Sequence, residues 1–136
     1  KVSAFIPEEF IEDVTLRLGI YRKIASAKKH EDLDILIEEL NDRFGHMPLE
    51  VRNLFDVMKL KIMAKKLLIT DITDMSGRVH VTFSKNTPVA GEKILGLYNI
   101  IGKRVRFLQD GFEIDVKNLM WDETYKITKE ALEKLC

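Results

Sequence analysis

Residues 33–48 read LDILIEELNDRFGHMP and contain an amphipathic helix, its stop signal and the start of a second helix. Apolar side chains recur at three- and four-residue steps, so they share one helix face. Gly45 follows the helix, where a residue with positive φ commonly ends it. Pro48 suits the first turn of the next helix, because its missing N–H is not needed there. The apolar face consists of Leu33, Leu36, Ile37, Leu40 and Phe44.

The opposite face of this helix is acidic. We define the acidic stripe as Glu31, Asp34, Glu38 and Asp42, with Glu39 at its flank. Like charges four residues apart destabilise a helix by roughly a few tenths of a kcal/mol. Asp42 also lies in the last turn, where the helix dipole disfavours an acid. Two interpretations stay open: a solvated acidic face, or a patch whose cation comes from outside the helix.

Length and composition limit the class of protein. The 136 residues are enough for one domain with a core, and 46% of them are hydrophobic, which is ordinary for a globular domain. The 22 basic and 22 acidic side chains cancel, which argues against nucleic-acid binding through overall charge. No apolar run approaches the roughly 20 residues that a membrane helix needs, so we expect no membrane contact.

The ends of the chain and its cysteine content indicate context. The chain begins with Lys1 rather than Met and has no signal-peptide pattern, so we expect a piece of a longer protein. Cys136 is the only cysteine, which leaves no intrachain disulfide and no cysteine metal cluster. This usage is consistent with a reducing setting, and we expect a cytoplasmic protein.

The first half of the chain is predicted to be helical. Three helices are expected over residues 7–27, 31–44 and 48–67. Pro7 followed by acids is a good helix start, and the apolar period continues through Gly19 despite the cost of glycine in a helix. Residues 2–6 are short and apolar, and either an edge strand or a linker fits them.

The second half is predicted to contain two β-hairpins separated by a short helix, followed by a C-terminal helix. Segregated helices and hairpins indicate an α+β fold with a small antiparallel or mixed sheet, whose strand order the sequence does not determine. The turns are expected at Ser76-Gly77 and Asp110-Gly111. The strands are expected over residues 69–75, 78–83, 104–108 and 112–116. The helices are expected over residues 92–101 and 122–135. In the first of these helices the side chains expected to point inward are Ile94, Leu95, Tyr98 and Ile101.

Motifs of catalysis are missing from the sequence. We find neither a Gly-x-x-x-x-Gly-Lys-Ser/Thr phosphate loop nor a Gly-x-Gly-x-x-Gly fingerprint. The three histidines lack the spacing of metal ligands, and no serine lies in a nucleophile elbow. We therefore assign no catalytic residue, no metal site and no cofactor to this chain, and we predict that it is not an enzyme.

A lysine-rich segment offers an alternative function. Lys59, Lys61, Lys65 and Lys66 occupy the C-terminal half of the third helix, where cations suit the dipole. The same side chains could contact phosphates, although no aromatic platform for base stacking accompanies them. A nucleic-acid-binding accessory module therefore stays open, as do a small enzyme of unknown type and a structural spacer.

Three motifs together resemble a known family. They are AFIPEEFIED at residues 4–13, RLGIYRKIA at residues 17–25 and ELNDRFG at residues 39–45, followed by Pro48. This combination is similar to the C-terminal domain of bacterial transcription-repair coupling factor, the Mfd family. The first half of the chain carries the resemblance, and the second half agrees in layout more than in identity. The resemblance implies that residues 1–136 are one regulatory domain of a larger multidomain translocase.

The resemblance also implies a function. The parent would be an ATP-driven translocase on double-stranded DNA that removes stalled RNA polymerase from a lesion and recruits excision repair, with ATP and magnesium serving the parent's motor. This domain would dock onto the parent's N-terminal module, which resembles UvrB, and mask its UvrA-binding surface. Engagement of stalled polymerase would expose that surface.

The family's interface motif, Glu-Leu-x-Asp-Arg-Phe-Gly, places the implied interface acids at Glu39 and Asp42. Their implied partner is an arginine or a similar cation on the N-terminal module. Two roles stay open for Arg43. It could hold Glu39, which lies four residues earlier in the same helix, or it could form an ion pair elsewhere within the domain. Gly19 departs from what we expect of the first helix.

Overall fold

The computed structural model describes residues 2–136, which divide into two compact units, residues 2–62 and residues 63–136. The architecture is α+β, as predicted, while a single domain over residues 1–136 stays a prediction. A short 3-10 turn is formed by Gly102–Arg104. The elements are α1 (Val14–Ser26), α2 (His30–Phe44), α3 (Leu49–Lys66), β1 (Ile69–Met75), β2 (Arg78–Phe83), α4 (Gly91–Leu95), α5 (Tyr98–Ile101), β3 (Val105–Leu108), β4 (Gly111–Asp115) and α6 (Trp121–Leu135).

The apolar face of α2 contributes to the core of the first unit, as the sequence predicts. Leu33 and Leu40 are fully buried, Leu36 is buried, and Ile37 and Phe44 pack against the same core at its edge. The core also takes side chains from α1, α3, the segment before α1 and the connection between α2 and α3, which are Ile6, Ile11, Ile20, Ile24, Met47, Val51, Phe55 and Ile62. The polar face of α2 is thereby turned outward.

The predicted start of the first helix at Pro7 is wrong. Pro7 opens a single turn, in which its carbonyl accepts a hydrogen bond from the Phe10 N–H at 3.1 Å. The helix begins at Val14, and the Asp13 carboxylate accepts a hydrogen bond from the Thr15 N–H at 2.8 Å. Aspartate is among the strongest N-cap residues, so the cap determines the helix start, and the proline signal marks only a turn.

Residues 2–6 form a linker and not a strand. The Phe5 N–H donates to the Glu50 carbonyl at 3.2 Å. The Ile6 N–H donates to the Tyr21 hydroxyl at 2.7 Å. These backbone groups are therefore bonded to helical residues, which ties the segment to α1 and α3.

The second unit contains a four-stranded sheet of order β1-β2-β4-β3, in which each neighbouring pair is antiparallel. The predicted bounds of β1 and β2 are confirmed. Along β2, Val79, Val81 and Phe83 are buried and alternate with partly exposed residues, which is the period-2 pattern of a half-buried strand.

Three of the four strand bounds of the second hairpin differ from the prediction by one residue. Gly111 belongs to β4 and pairs with Leu108, so the turn consists of Gln109 and Asp110. A Cβ atom at position 111 would overlap the backbone carbonyl oxygen of Val81 on the neighbouring strand. The glycine is therefore required by close strand approach and not by the turn.

The helix predicted between the two hairpins is confirmed, but it is not continuous over residues 92–101, since the chain forms α4 and α5 separated by Gly96 and Leu97. Leu97 is fully buried, whereas Leu95 is 60% exposed and Tyr98 is 52% exposed. The break changes which positions point inward, because a continuous helical period no longer relates the residues on either side of it.

Two glycines of the first unit should respond to alanine in opposite directions. Gly45 has φ 87° and ψ −156°, a region almost restricted to glycine, so Gly45→Ala should destabilise the protein by about 1–3 kcal/mol. Gly19 lies within α1 with nothing within 4 Å of an added Cβ, so Gly19→Ala should stabilise it by about 0.5–1 kcal/mol. Urea unfolding of each variant measures both changes, and a shift of the same sign for both would contradict this account.

Candidate functional site

The N-terminus of α2 is capped by an acid of the helix itself. The Asp32 carboxylate accepts hydrogen bonds from the backbone N–H groups of Lys28 at 3.1 Å and Lys29 at 3.2 Å. At the other end, the Gly45 N–H donates to the Asn41 carbonyl at 3.0 Å. Both ends of the helix are thus defined, which fixes the positions from which its polar side chains project.

Glu39 contacts two cations of the first unit. Its Oε2 lies 3.7 Å from Arg43 Nη1 and 3.9 Å from Lys23 Nζ on α1. The side chain is 35% exposed, yet Oε2 itself is buried without a hydrogen-bond partner. Glu39 is therefore partly neutralised, but its buried oxygen still lacks a donor at hydrogen-bonding distance.

Arg43 is held by contacts within the first unit. Besides its ion pair with Glu39, its guanidinium carbon lies 5.1 Å from the centre of the Phe44 ring, a cation–π contact. The Phe44 ring in turn lies 5.7 Å from the Phe10 ring, between centroids. Glu39, Arg43, Phe44 and Phe10 thus form a continuous row across the end of α2.

Asp42 has no such contacts. It is exposed, and it forms no ion pair with any of residues 2–136; the same holds for Glu38. Asp34, also in the acidic stripe, differs because its Oδ1 lies 3.3 Å from Lys59 Nζ on α3. Within the acidic stripe, Asp34 is therefore paired with α3, whereas Glu38 and Asp42, towards the C-terminal end of α2, form no ion pair with any of residues 2–136.

The predicted lysine group is divided by the structure. Lys59 is engaged with Asp34, and its side chain is only 23% exposed. The other three, Lys61, Lys65 and Lys66, are exposed. The structure thus leaves three of the four predicted lysines accessible to a phosphate, and the alternative of a nucleic-acid-binding segment stays a prediction.

The structure also reveals a pocket that sequence reasoning missed. It has a volume of about 540 Å³ and lies between residues 5–10 and residues 46–50. Glu8 and Glu9 are the sequence signal for this pocket, but after Pro7 they equally fit the first turn of a helix. Only the tertiary fold brings these acids together with the start of α3. The pocket is lined by Phe5, Pro7, Glu8, Glu9, Phe10, His46, Pro48 and Glu50.

Within residues 2–136, no group of three or more His, Cys, Asp or Glu side chains is arranged to hold a metal ion. Two histidines have internal partners: His30 Nε2 lies 3.2 Å from the Lys59 carbonyl, and His80 Nδ1 lies 3.3 Å from Glu113 Oε2. None of the helices over this part of the chain combines the length and apolarity that a membrane crossing requires.

A protein-family model and curated relatives both match this chain, and they agree on the family. A protein-family model described as the TRCF domain matches residues 1–94. The transcription-repair-coupling factor of Escherichia coli is 33% identical over 118 residues, which cover 81% of this chain and 10% of that protein. The factor of Rickettsia conorii is 29% identical over 119 residues, covering 88% of this chain and 10% of that protein.

A solved structure resembles the whole chain. It is the crystal structure of the C-terminal domain of transcription-repair coupling factor, with a TM-score of 0.86 and 22% identity, covering 99% of this chain and 89% of that chain. At this identity the likeness supports the fold alone. The chain spans about a tenth of the length of the curated relatives it matches.

Two neutralising substitutions on α2 should change stability with opposite signs. Glu39→Gln removes the ion pairs with Lys23 and Arg43 and should lower the free energy of unfolding by up to about 1 kcal/mol. Asp42→Asn removes an unpaired acid that opposes the helix dipole and should raise it by roughly a few tenths of a kcal/mol. Urea unfolding at low salt measures both, and a destabilising Asp42→Asn would mean that Asp42 has a structural role.

Proposed function

The chain belongs to the TRCF domain family, the C-terminal domain of bacterial transcription-repair coupling factors, and from this premise we propose that it is a non-catalytic autoinhibitory domain. It docks through the polar face of α2 onto the N-terminal UvrB-like module of the parent protein. In the docked state it masks the surface that binds UvrA. Engagement of stalled RNA polymerase by the parent, a translocase on double-stranded DNA, releases it.

The observation that carries this proposal is the state of Asp42. The side chain is exposed and unpaired within residues 2–136, and it lies in the last turn of α2. In this position it opposes the helix dipole and gains nothing from its neighbour Glu38. A cation supplied by a docking partner would convert this unfavourable local charge into a favourable contact. Docking therefore gives Asp42 a function, whereas the isolated domain has no use for its charge.

Glu39 and Arg43 support the same surface in a different way. The contacts of Glu39 with Lys23 and Arg43, at 3.9 and 3.7 Å, are longer than hydrogen bonds. Because the Glu39 side chain is still 35% exposed, an incoming guanidinium can compete with these long contacts for its carboxylate. Arg43, held against Phe44, then limits the freedom of Glu39 before docking, which reduces the entropy that docking must overcome.

The expected strength of these contacts suits a reversible interaction. Exposed ion pairs contribute up to about 1 kcal/mol each, and allosteric coupling between sites is typically about 1–3 kcal/mol. Within one parent chain, tethering adds effective concentration to weak contacts. A few such pairs therefore hold the docked state while leaving it open to displacement when polymerase binds.

Charge reversal at Asp42 should raise the affinity of the parent protein for UvrA. Asp42→Lys should replace attraction by repulsion at the docking interface, expose the masked surface and raise the affinity of the full-length parent for UvrA by about fivefold or more. Affinity is measured by surface plasmon resonance with immobilised UvrA, after circular dichroism has established that the variant is folded.

The matched control is Glu130→Lys on α6, which makes the same charge change at an exposed position of the other unit. It should leave the affinity for UvrA unchanged. Equal affinity of the folded Asp42→Lys variant and the wild type would contradict docking through this part of α2.

A further inference from the structure

A pocket of about 540 Å³ lies next to the end of α2 in the first unit. We propose that it binds an arginine side chain presented by a protein partner. The inference deepens the proposed function, on which it rests for the identity of the partner, because it adds a second contact beside Asp42.

The backbone of the pocket is held on two sides. The Phe10 N–H donates to the Pro7 carbonyl at 3.1 Å, which closes the turn on one side. On the other side, Pro48 accepts from the Val51 N–H at 3.1 Å at the start of α3. The Phe5 N–H donates to the Glu50 carbonyl at 3.2 Å and joins the two sides. The walls are thus connected by backbone hydrogen bonds before a ligand arrives.

The charge of the pocket favours a cation. Glu8, Glu9 and Glu50 line it, and none of them forms an ion pair with any of residues 2–136. No lysine or arginine among residues 2–136 lines it. The N-terminus of α3 contributes the equivalent of about half a positive charge, which is less than the charge of three carboxylates. Among the described residues, the pocket is therefore acidic and has no lysine or arginine to neutralise it.

The apolar part of the pocket selects the kind of cation. Phe5 is 46% exposed, and Phe10 is partly buried beside it. A guanidinium stacks on aromatic rings and bonds carboxylates with its planar fork, whereas an ammonium is more strongly hydrated and has no planar face. A hydrated metal ion would gain nothing from the rings. The combination of carboxylates and the exposed Phe5 ring therefore favours arginine.

The pocket is continuous with the proposed docking surface. Phe10 lines the pocket, and its ring centroid lies 5.7 Å from that of Phe44 in the last turn of α2. The Phe44 ring is also in cation–π contact with the guanidinium of Arg43. Arg43 directly follows Asp42 in the sequence. A protein surface with two basic side chains can therefore reach Asp42 with one and the pocket with the other.

The direct test is an NMR titration of this chain with acetyl-Gly-Arg-Gly-amide and with its citrulline analogue, which has nearly the same shape but no charge. The arginine peptide should produce saturable shifts confined to the backbone amides of residues 5–10 and 46–50. The citrulline peptide should bind at least about fivefold more weakly. Equal binding of both peptides, or shifts scattered over all acidic surfaces, would overturn the inference.

Two variants and a control identify the source of binding. The triple variant Glu8→Gln, Glu9→Gln, Glu50→Gln should lose the preference for arginine over citrulline. Phe5→Leu, which keeps an apolar side chain but removes the ring, should weaken the arginine peptide alone. The triple control Glu123→Gln, Glu130→Gln, Glu133→Gln removes the same charge from exposed positions of α6 and should bind as the wild type does. A control that weakens binding equally would overturn the inference.

The inference and the proposed function can fail separately. If the parent's N-terminal module binds wild type and the pocket variants equally, the pocket inference fails, while docking through α2 stands. If the arginine peptide binds in the pocket but the module does not bind this chain, the pocket stands and its assignment to that partner fails. A module that binds wild type and is weakened by both the pocket triple variant and Asp42→Asn supports both.

Discussion

Burial of the apolar face of α2 is the constraint on which the candidate site depends. Leu33 and Leu40 are fully removed from solvent, and each buried leucine contributes about 1.5–3 kcal/mol. An exposed ion pair contributes up to about 1 kcal/mol. The core therefore determines the rotation of the helix about its axis, and the acidic stripe projects outward as a consequence. Its charges are free to serve binding because the fold does not depend on them.

The acids of the first unit differ in their partners. Asp32 caps α2, Asp34 pairs with Lys59, and Glu39 contacts Lys23 and Arg43. By contrast, Asp42 and the three glutamates of the pocket form no ion pair with any of residues 2–136. A chain with no net charge thus contains a local acidic surface. Contacts made through it should weaken as salt is added, since exposed charges are screened over roughly 10 Å at 0.1 M.

The sequence predicts elements that local patterns specify. The core face of α2 and the first hairpin follow from strong periodicity and a clear turn, and both are confirmed. The start of α1 was predicted wrongly because a proline followed by acids also suits an isolated turn. Strand order, the Asp34–Lys59 pair and the pocket depend on contacts between distant segments, such as Phe5 with Glu50. No local pattern encodes them, and the function assigned to Asp42 came from a family resemblance combined with its unfavourable position.

Titration calorimetry of this chain with the parent's N-terminal module, at low and moderate salt, tests the central claim most directly. Wild type is compared with Asp42→Asn and with Glu130→Gln, an equal charge change at an exposed position on α6. The account predicts binding that weakens with salt, falls about fivefold or more in Asp42→Asn and is unchanged in Glu130→Gln. Equal affinity of the wild type and Asp42→Asn at low salt would contradict docking through the acidic end of α2.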